Sequence, residues 1–121
     1  MLRNCIAVGV GGMLGSVLRY LIGLIPIHNQ SGFPYKTLFI NVLGSFVIAA
    51  VTAMAAEKLS LNPRLVLLLK TGVCGGFTTF STFSQETMTL LQSGESAAAA
   101  LYMLSSVLLS LGAAFLGDRV L

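Results

Sequence analysis

Apolar residues fill four stretches of the chain, at residues 4–24, 37–56, 65–91 and 96–116, with short polar connections between them. A helix that crosses a bilayer needs about 20 consecutive, mostly apolar residues, and each stretch supplies them. The connections, at 26–35, 58–63 and 92–95, are too short to hold another domain. The pattern therefore predicts an all-α membrane protein, a single domain over residues 1–121 with four transmembrane helices. No strong internal repeat is visible. An even number of spans puts both termini on one side of the membrane. That side carries Arg3, Lys58, Arg64 and Arg119, and the other carries Lys36. This imbalance favours cytoplasmic termini by the positive-inside rule.

The third stretch breaks the helical pattern. It reads Gly72-Val73-Cys74-Gly75-Gly76-Phe77-Thr78-Thr79-Phe80-Ser81-Thr82-Phe83. Each glycine costs about 1 kcal/mol in a helix relative to alanine, and the Thr and Ser hydroxyls offer the backbone competing hydrogen bonds. The expectation is a helix that stops near Gly75 and restarts near Thr78 or Thr79. Irregular backbone at membrane depth is tolerated only where protein buries it or where it lines a wet cavity, and such breaks often mark ion sites in transporters. The simpler reading is a glycine kink for close helix packing. A restart leaves orphan N–H groups at the positive end of a helix dipole. The preceding half-helix would end in free carbonyls, which suit a cation.

Polar residues inside the other spans form stripes. Thr37, Asn41 and Ser45 recur at steps of four in the second span, and Tyr102, Ser106 and Ser110 do so in the fourth. Residues four apart share a helix face. Asn41 is either an interhelical hydrogen bond or a donor to a passing anion. The hydroxyls are either bonded back to their own helices or aligned along a path. Phe80 and Phe83, three apart, share a face of the restarted half-helix. They are packing residues or, because an aromatic ring has a positive edge, weak ligands for a small anion. In the first span Gly11 and Gly15, with Gly12 and Ser16 one residue later, have the spacing of close helix approach in lipid. Arg19 lies a turn or two from the end of that span. It either snorkels as an anchor or lines an ion vestibule.

Composition agrees with the pattern and removes other classes. The chain is 55% hydrophobic and 9% charged, with a mean hydropathy of +0.90, against roughly 25% charged for soluble domains. The net charge of +3 is spread along the chain, so no basic cluster suggests nucleic acid. The one histidine, His28, falls in a connection, and Cys5 and Cys74 lack metal-ligand spacing. This inventory argues against a catalytic triad or a metal-hydrolase site, so no enzyme is expected. No role follows for Lys70 or Cys74. The first twenty residues lack the features of a cleaved signal peptide.

Three motifs together resemble the Fluc (CrcB) family of small fluoride channels. They are Gly11-Gly12-Met13-Leu14-Gly15-Ser16-Val17-Leu18-Arg19-Tyr20, then Asn41-Val42-Leu43-Gly44-Ser45-Phe46, then residues 75–83. The resemblance covers nearly the whole chain, and the third motif is the most specific. This sequence departs from the pattern at Lys36 and Ser16, where small residues are expected. The resemblance implies an antiparallel, dual-topology homodimer with two pores in a bacterial inner membrane. It implies that Phe80 and Phe83 line each pore as ring-edge ligands, with Asn41 as amide donor and Tyr102, Ser106 and Ser110 as a polar track. Ser81, Thr82 and Thr37 would serve a vestibule with Arg19 and Glu86. The main-chain carbonyls of Gly75 and Thr78 would hold a central structural sodium ion.

The function so implied is passive, fluoride-selective export. A four-span small cation or multidrug exporter is the alternative. It needs an ionisable carboxylate deep in a span, but the first two spans contain no acid and Glu86 lies toward the end of the third. A non-transporting membrane assembly factor would explain the glycines but not the polar stripes.

Overall fold

A computed structural model describes residues 1–27, 31–57 and 60–120. His28 and Lys58, assigned above to connections, lie outside the described residues. Among the described residues there are four helical spans: α1 (Leu2–Gly23), α2 (Tyr35–Ala56), a third span over Pro63–Gln92, and α5 (Ser96–Gly117). The third span consists of α3 (residues 63–77) and α4 (Phe80–Gln92). At 1.5 Å per residue a 22-residue helix is about 33 Å long, which matches the roughly 30 Å hydrocarbon core. Most large side chains of α5 face outward, among them Leu104, Leu108 and Leu111. A surface this apolar belongs in lipid, and the chain is an integral membrane protein.

Local chemistry sets the helix ends. Asn62 accepts from the Arg64 N–H at 2.9 Å and Pro63 follows at the first helical position, the favoured start for a helix. After α4 the Gly94 N–H bonds the Leu91 carbonyl and the Glu95 N–H bonds the Leu90 carbonyl. This double closure needs a left-handed residue, and Gly94 supplies it at φ 78°.

Packing pairs α1 with α3 and α2 with α5, while α4 leans on α5. The α1–α3 seam is backbone against backbone. A methyl added at Gly11 would collide with the Leu68 carbonyl and with Gly72, and one added at Gly76 would collide with the Gly12 carbonyl. The glycine spacing in the first span thus serves close approach. Within α3 the segment Leu68–Cys74 is wound as a π-helix, a feature the sequence pattern did not show.

The break does not begin at the glycines. Gly75 has φ −63° and ψ −38°, and Gly75–Phe77 is α-helical. The extended residues are Thr78 (φ −79°, ψ 157°) and Thr79 (φ −152°, ψ 118°). The helix therefore runs two residues past the expected stop and restarts at Phe80. Gly76 is placed by its contact with α1, and the threonines interrupt the helix.

Candidate functional site at the helix break

The break is held open from a neighbouring span. Asn41 Oδ1 accepts from the Thr79 N–H at 2.8 Å, and Asn41 Nδ2 donates to the Thr79 carbonyl at 3.1 Å. One side-chain amide thus replaces the helical partner of the Thr79 N–H and adds a second bond to the carbonyl that starts the next helix. Gly44, one turn further along α2, leaves room for the Thr78 methyl, which any side chain at Gly44 would strike. Arg19 Nε donates to the Gly76 carbonyl at 3.2 Å. Arg19 is thereby tied to the backbone beside the break.

The carbonyls of Gly75 and Thr78 are among those that lose their helical donors here. The Thr79 N–H, due to Gly75, goes to Asn41 instead. The Thr82 N–H, due to Thr78, goes to Thr79 Oγ1 at 3.1 Å. Thr79 is the N-cap of α4 and satisfies one of the orphan donors of the restart. The remaining N–H groups of that first turn still present a positive dipole end.

Two cavities meet at Thr79, which lines both. The first, of about 460 Å³, has Asn41, Ser106 and Ser110 on one side and Thr78, Phe80 and Phe83 on the other. Gly75 and Cys74 also line it, which gives Cys74 a place that spacing did not suggest. The Phe80 and Phe83 rings lie 5.6 Å apart between centroids, tilted by 46°. They share a face, as expected from their spacing, but differ in setting. Phe80 is 79% exposed, whereas Phe83 stacks at 5.0 Å on Tyr102. Ser106 Oγ is buried with no hydrogen-bond partner among the described residues. Ser45, by contrast, bonds back to the Asn41 carbonyl of its own helix at 2.7 Å.

The second cavity, of about 560 Å³, collects Arg19, Lys36, Thr37, Thr82 and Glu86. The residues assigned to a vestibule from sequence come together there, apart from Ser81. Ser81 is exposed and lies 3.4 Å from Thr79 Oγ1. Tyr102 joins the two regions. Its ring is fully buried against Phe33 and Phe83, and its Oη donates to Glu86 Oε1 at 3.0 Å.

Sequence reasoning did not assign Thr79 or Gly44 to the site, although both lie inside the quoted motifs. A Thr at the restart and a Gly in the span that faces it were the available clues. Among the described residues, no group of three or more His, Cys, Asp or Glu side chains is placed to hold a metal.

Residues 6–118 match the model of the family described as CrcB-like protein, Camphor Resistance (CrcB). A relative from Chlorobaculum tepidum, named fluoride-specific ion channel FluC, is 44% identical over 117 residues, covering 97% of this chain and 93% of its own. A protein of the same name from Nitrobacter winogradskyi is 48% identical over 117 residues, covering 95% and 92%. The Thermus thermophilus protein of that name is 47% identical over 120 residues, covering 98% and 95%. With its four spans, its broken third span and a match along almost its entire length, the chain belongs to the CrcB-like family.

Proposed function

We propose that this protein is a fluoride-selective passive channel of the bacterial inner membrane, which lowers cytoplasmic fluoride by letting it leave down its electrochemical gradient. The observation that carries this reading is the cavity at the break, lined by neutral donors and two phenylalanine rings, in a chain whose relatives are named fluoride-specific ion channels. Neutral HF crosses lipid, loses its proton at cytoplasmic pH, and leaves the anion trapped inside. A negative-inside potential supplies about 2.3 kcal/mol per charge per 100 mV. At about 1.4 kcal/mol per factor of ten, that sustains roughly a forty-fold gradient.

Conduction needs binding that is weak enough for release, and the lining groups suit that need. A primary amide has two N–H donors; Thr79 takes one from Asn41, and the other is left for the anion. Ser106 and Ser110 add hydroxyl donors, and Phe80 and Phe83 add ring edges with no full charge to trap the ion. Thr37, Ser81 and Thr82, with Arg19 and Glu86, serve the approach to this path, and Tyr102 holds Glu86 in place. The exporter alternative gains nothing from this arrangement. Its one candidate carboxylate, Glu86, accepts from Tyr102 at the second cavity, outside the cavity that Asn41 and Ser106 line.

The working unit in this proposal is an inverted homodimer with a pore on each side. The outward-facing Phe80 and the exposed Gly75 support it, because they leave the break open on the protomer's own surface. Where two inverted copies meet, the Gly75 and Thr78 carbonyls would hold a structural sodium ion. That ion would supply positive charge to four oxygens that no helix satisfies. Equal labelling of a C-terminal tag from both membrane faces is expected. Labelling from the cytoplasmic face alone, as the loop charges by themselves suggest, would refute the inversion.

Fluoride efflux from liposomes containing the purified protein, with a potassium ionophore clamping the potential, tests the main claim. Fluoride is expected to leave and chloride to stay. Comparable chloride efflux would remove the selectivity, and no anion efflux at all would remove the channel.

A further inference from the structure

Lys36 occupies a position that the physics of its own helix disfavours. It is the second residue of α2 (Tyr35–Ala56), whose first turn contains no acid. A cation near a helix N-terminus opposes the macrodipole. The structure offsets this locally, because Lys36 Nζ donates to the carbonyl of Gly23, the last residue of α1, at 2.9 Å. The side chain thus reaches from the start of one span to the negative end of another. An ammonium has three N–H donors, and Gly23 takes one.

This bond fixes the charge at the rim of the second cavity, whose lining includes Gly23, Leu24 and Lys36. Arg19 lies four residues further into α1, about 6 Å deeper at 1.5 Å per residue. Arg19 is itself held by the Gly76 carbonyl. Beyond it stand Thr79 and Thr82 at the N-terminus of α4. Of the charged residues that line the cavity, two are cations, Arg19 and Lys36, and one is an anion, Glu86. The Glu86 carboxylate is engaged by Tyr102. From rim to break, the cavity therefore presents an ammonium, a guanidinium and then a positive helix end.

We propose that Lys36 is a rate-determining electrostatic residue of this channel, drawing fluoride to the cavity mouth and raising its local concentration ahead of Arg19. The inference rests on the fluoride-channel reading and adds an entry step to it. A cleft lined by one sign of charge focuses the field and concentrates counter-ions, and the effect falls steeply with ionic strength. Lys36 sits at the rim, so its charge is screened by salt and does not trap the ion.

The test uses Lys36→Gln, which keeps an N–H donor for the Gly23 carbonyl and removes the charge, beside Lys36→Arg, which keeps the charge. Fluoride currents are compared in neutral phosphatidylcholine bilayers at low and high ionic strength, set with an impermeant salt. At ~0.01 M the Debye length is about 30 Å, and at 1 M it is about 3 Å. The expected result is that Lys36→Gln carries about three-fold less current than wild type at low ionic strength. That deficit should vanish at 1 M, and Lys36→Arg should match wild type at both. A Lys36→Gln current equal to wild type at low ionic strength would overturn the proposal. A deficit that persists at 1 M would overturn it too, because Lys36 would then act as a strap between α1 and α2. Wild type that passes no fluoride under either condition would bring down the channel reading and this inference with it.

Discussion

Replacing Asn41 by Leu tests whether the helix break depends on a single side chain. The substitution keeps the volume of the site but removes both bonds to Thr79, at 2.8 and 3.1 Å. Only the Thr79 N–H would then be orphaned inside a membrane span, because the carbonyl of this N-cap residue still accepts the first intrahelical bond of α4. A buried group left unsatisfied costs about 1–3 kcal/mol, which sets an upper figure of about 3 kcal/mol. Interhelical polar contacts in membranes average only about 0.6 kcal/mol by double-mutant cycles, because the unfolded reference state also finds partners. Thr79 has less freedom than a side chain to find a new partner, since its neighbours Gly76 and Thr82 are already bonded to Arg19 and to Thr79 itself. A loss of about 1–3 kcal/mol is expected. Ser45→Ala is the control one turn along the same face. It removes a bond within α2 and should cost under about 0.5 kcal/mol. The assay is reversible unfolding in mixed detergent micelles, followed by helicity and by accessibility of Cys74, which is buried. If Asn41→Leu lies within about 0.5 kcal/mol of wild type, the break is held by something other than Asn41.

Phe80→Ile and Phe83→Ile should both reduce fluoride flux sharply, since Ile keeps bulk but has no ring quadrupole. Only Phe83→Ile should also lower stability, by about 0.5–1.5 kcal/mol, through loss of its stack on Tyr102; normal flux in both variants would make the rings packing residues. Gly76→Ala should be strongly destabilising because the methyl meets the Gly12 backbone, whereas Gly112→Ala, with nothing within 4 Å, should be neutral or stabilising. Equal melting temperatures for these two variants would refute the close α1–α3 seam. Gly75→Ala should leave the protomer's own packing intact, since its nearest contact is the Lys70 carbonyl at 3.9 Å, yet weaken the dimer, read by crosslinking. Prolonged exchange of sodium for a large organic cation should slow fluoride flux, and unchanged flux and dimer would eliminate the sodium site.

Hydropathy alone determined four spans, because in lipid a backbone must satisfy its own polar groups and only a long apolar helix does so in one segment. It placed the helix ends to within a few residues, since Pro63 and Gly94 act locally. It also located the disturbed stretch of the third span, because Gly, Thr and Ser depress helicity wherever they occur. What it misjudged was which of these residues leaves the helix. Propensity singled out Gly75 and Gly76, but Gly76 is kept helical by its fit against Gly12, and Thr79 is drawn out by an amide 38 positions away in sequence. Competition between a local i−4 carbonyl and a distant side chain is decided by where the second span passes, which no window of the sequence contains. The π-helical segment Leu68–Cys74 is of the same kind: it lies in the part of α3 that meets Gly11 of α1. The same holds for the division of the polar residues into two cavities. Periodicity put Thr37 and Asn41 on one stripe, but only the tertiary packing gave Thr37 to the cavity of Arg19 and Asn41 to that of Ser106.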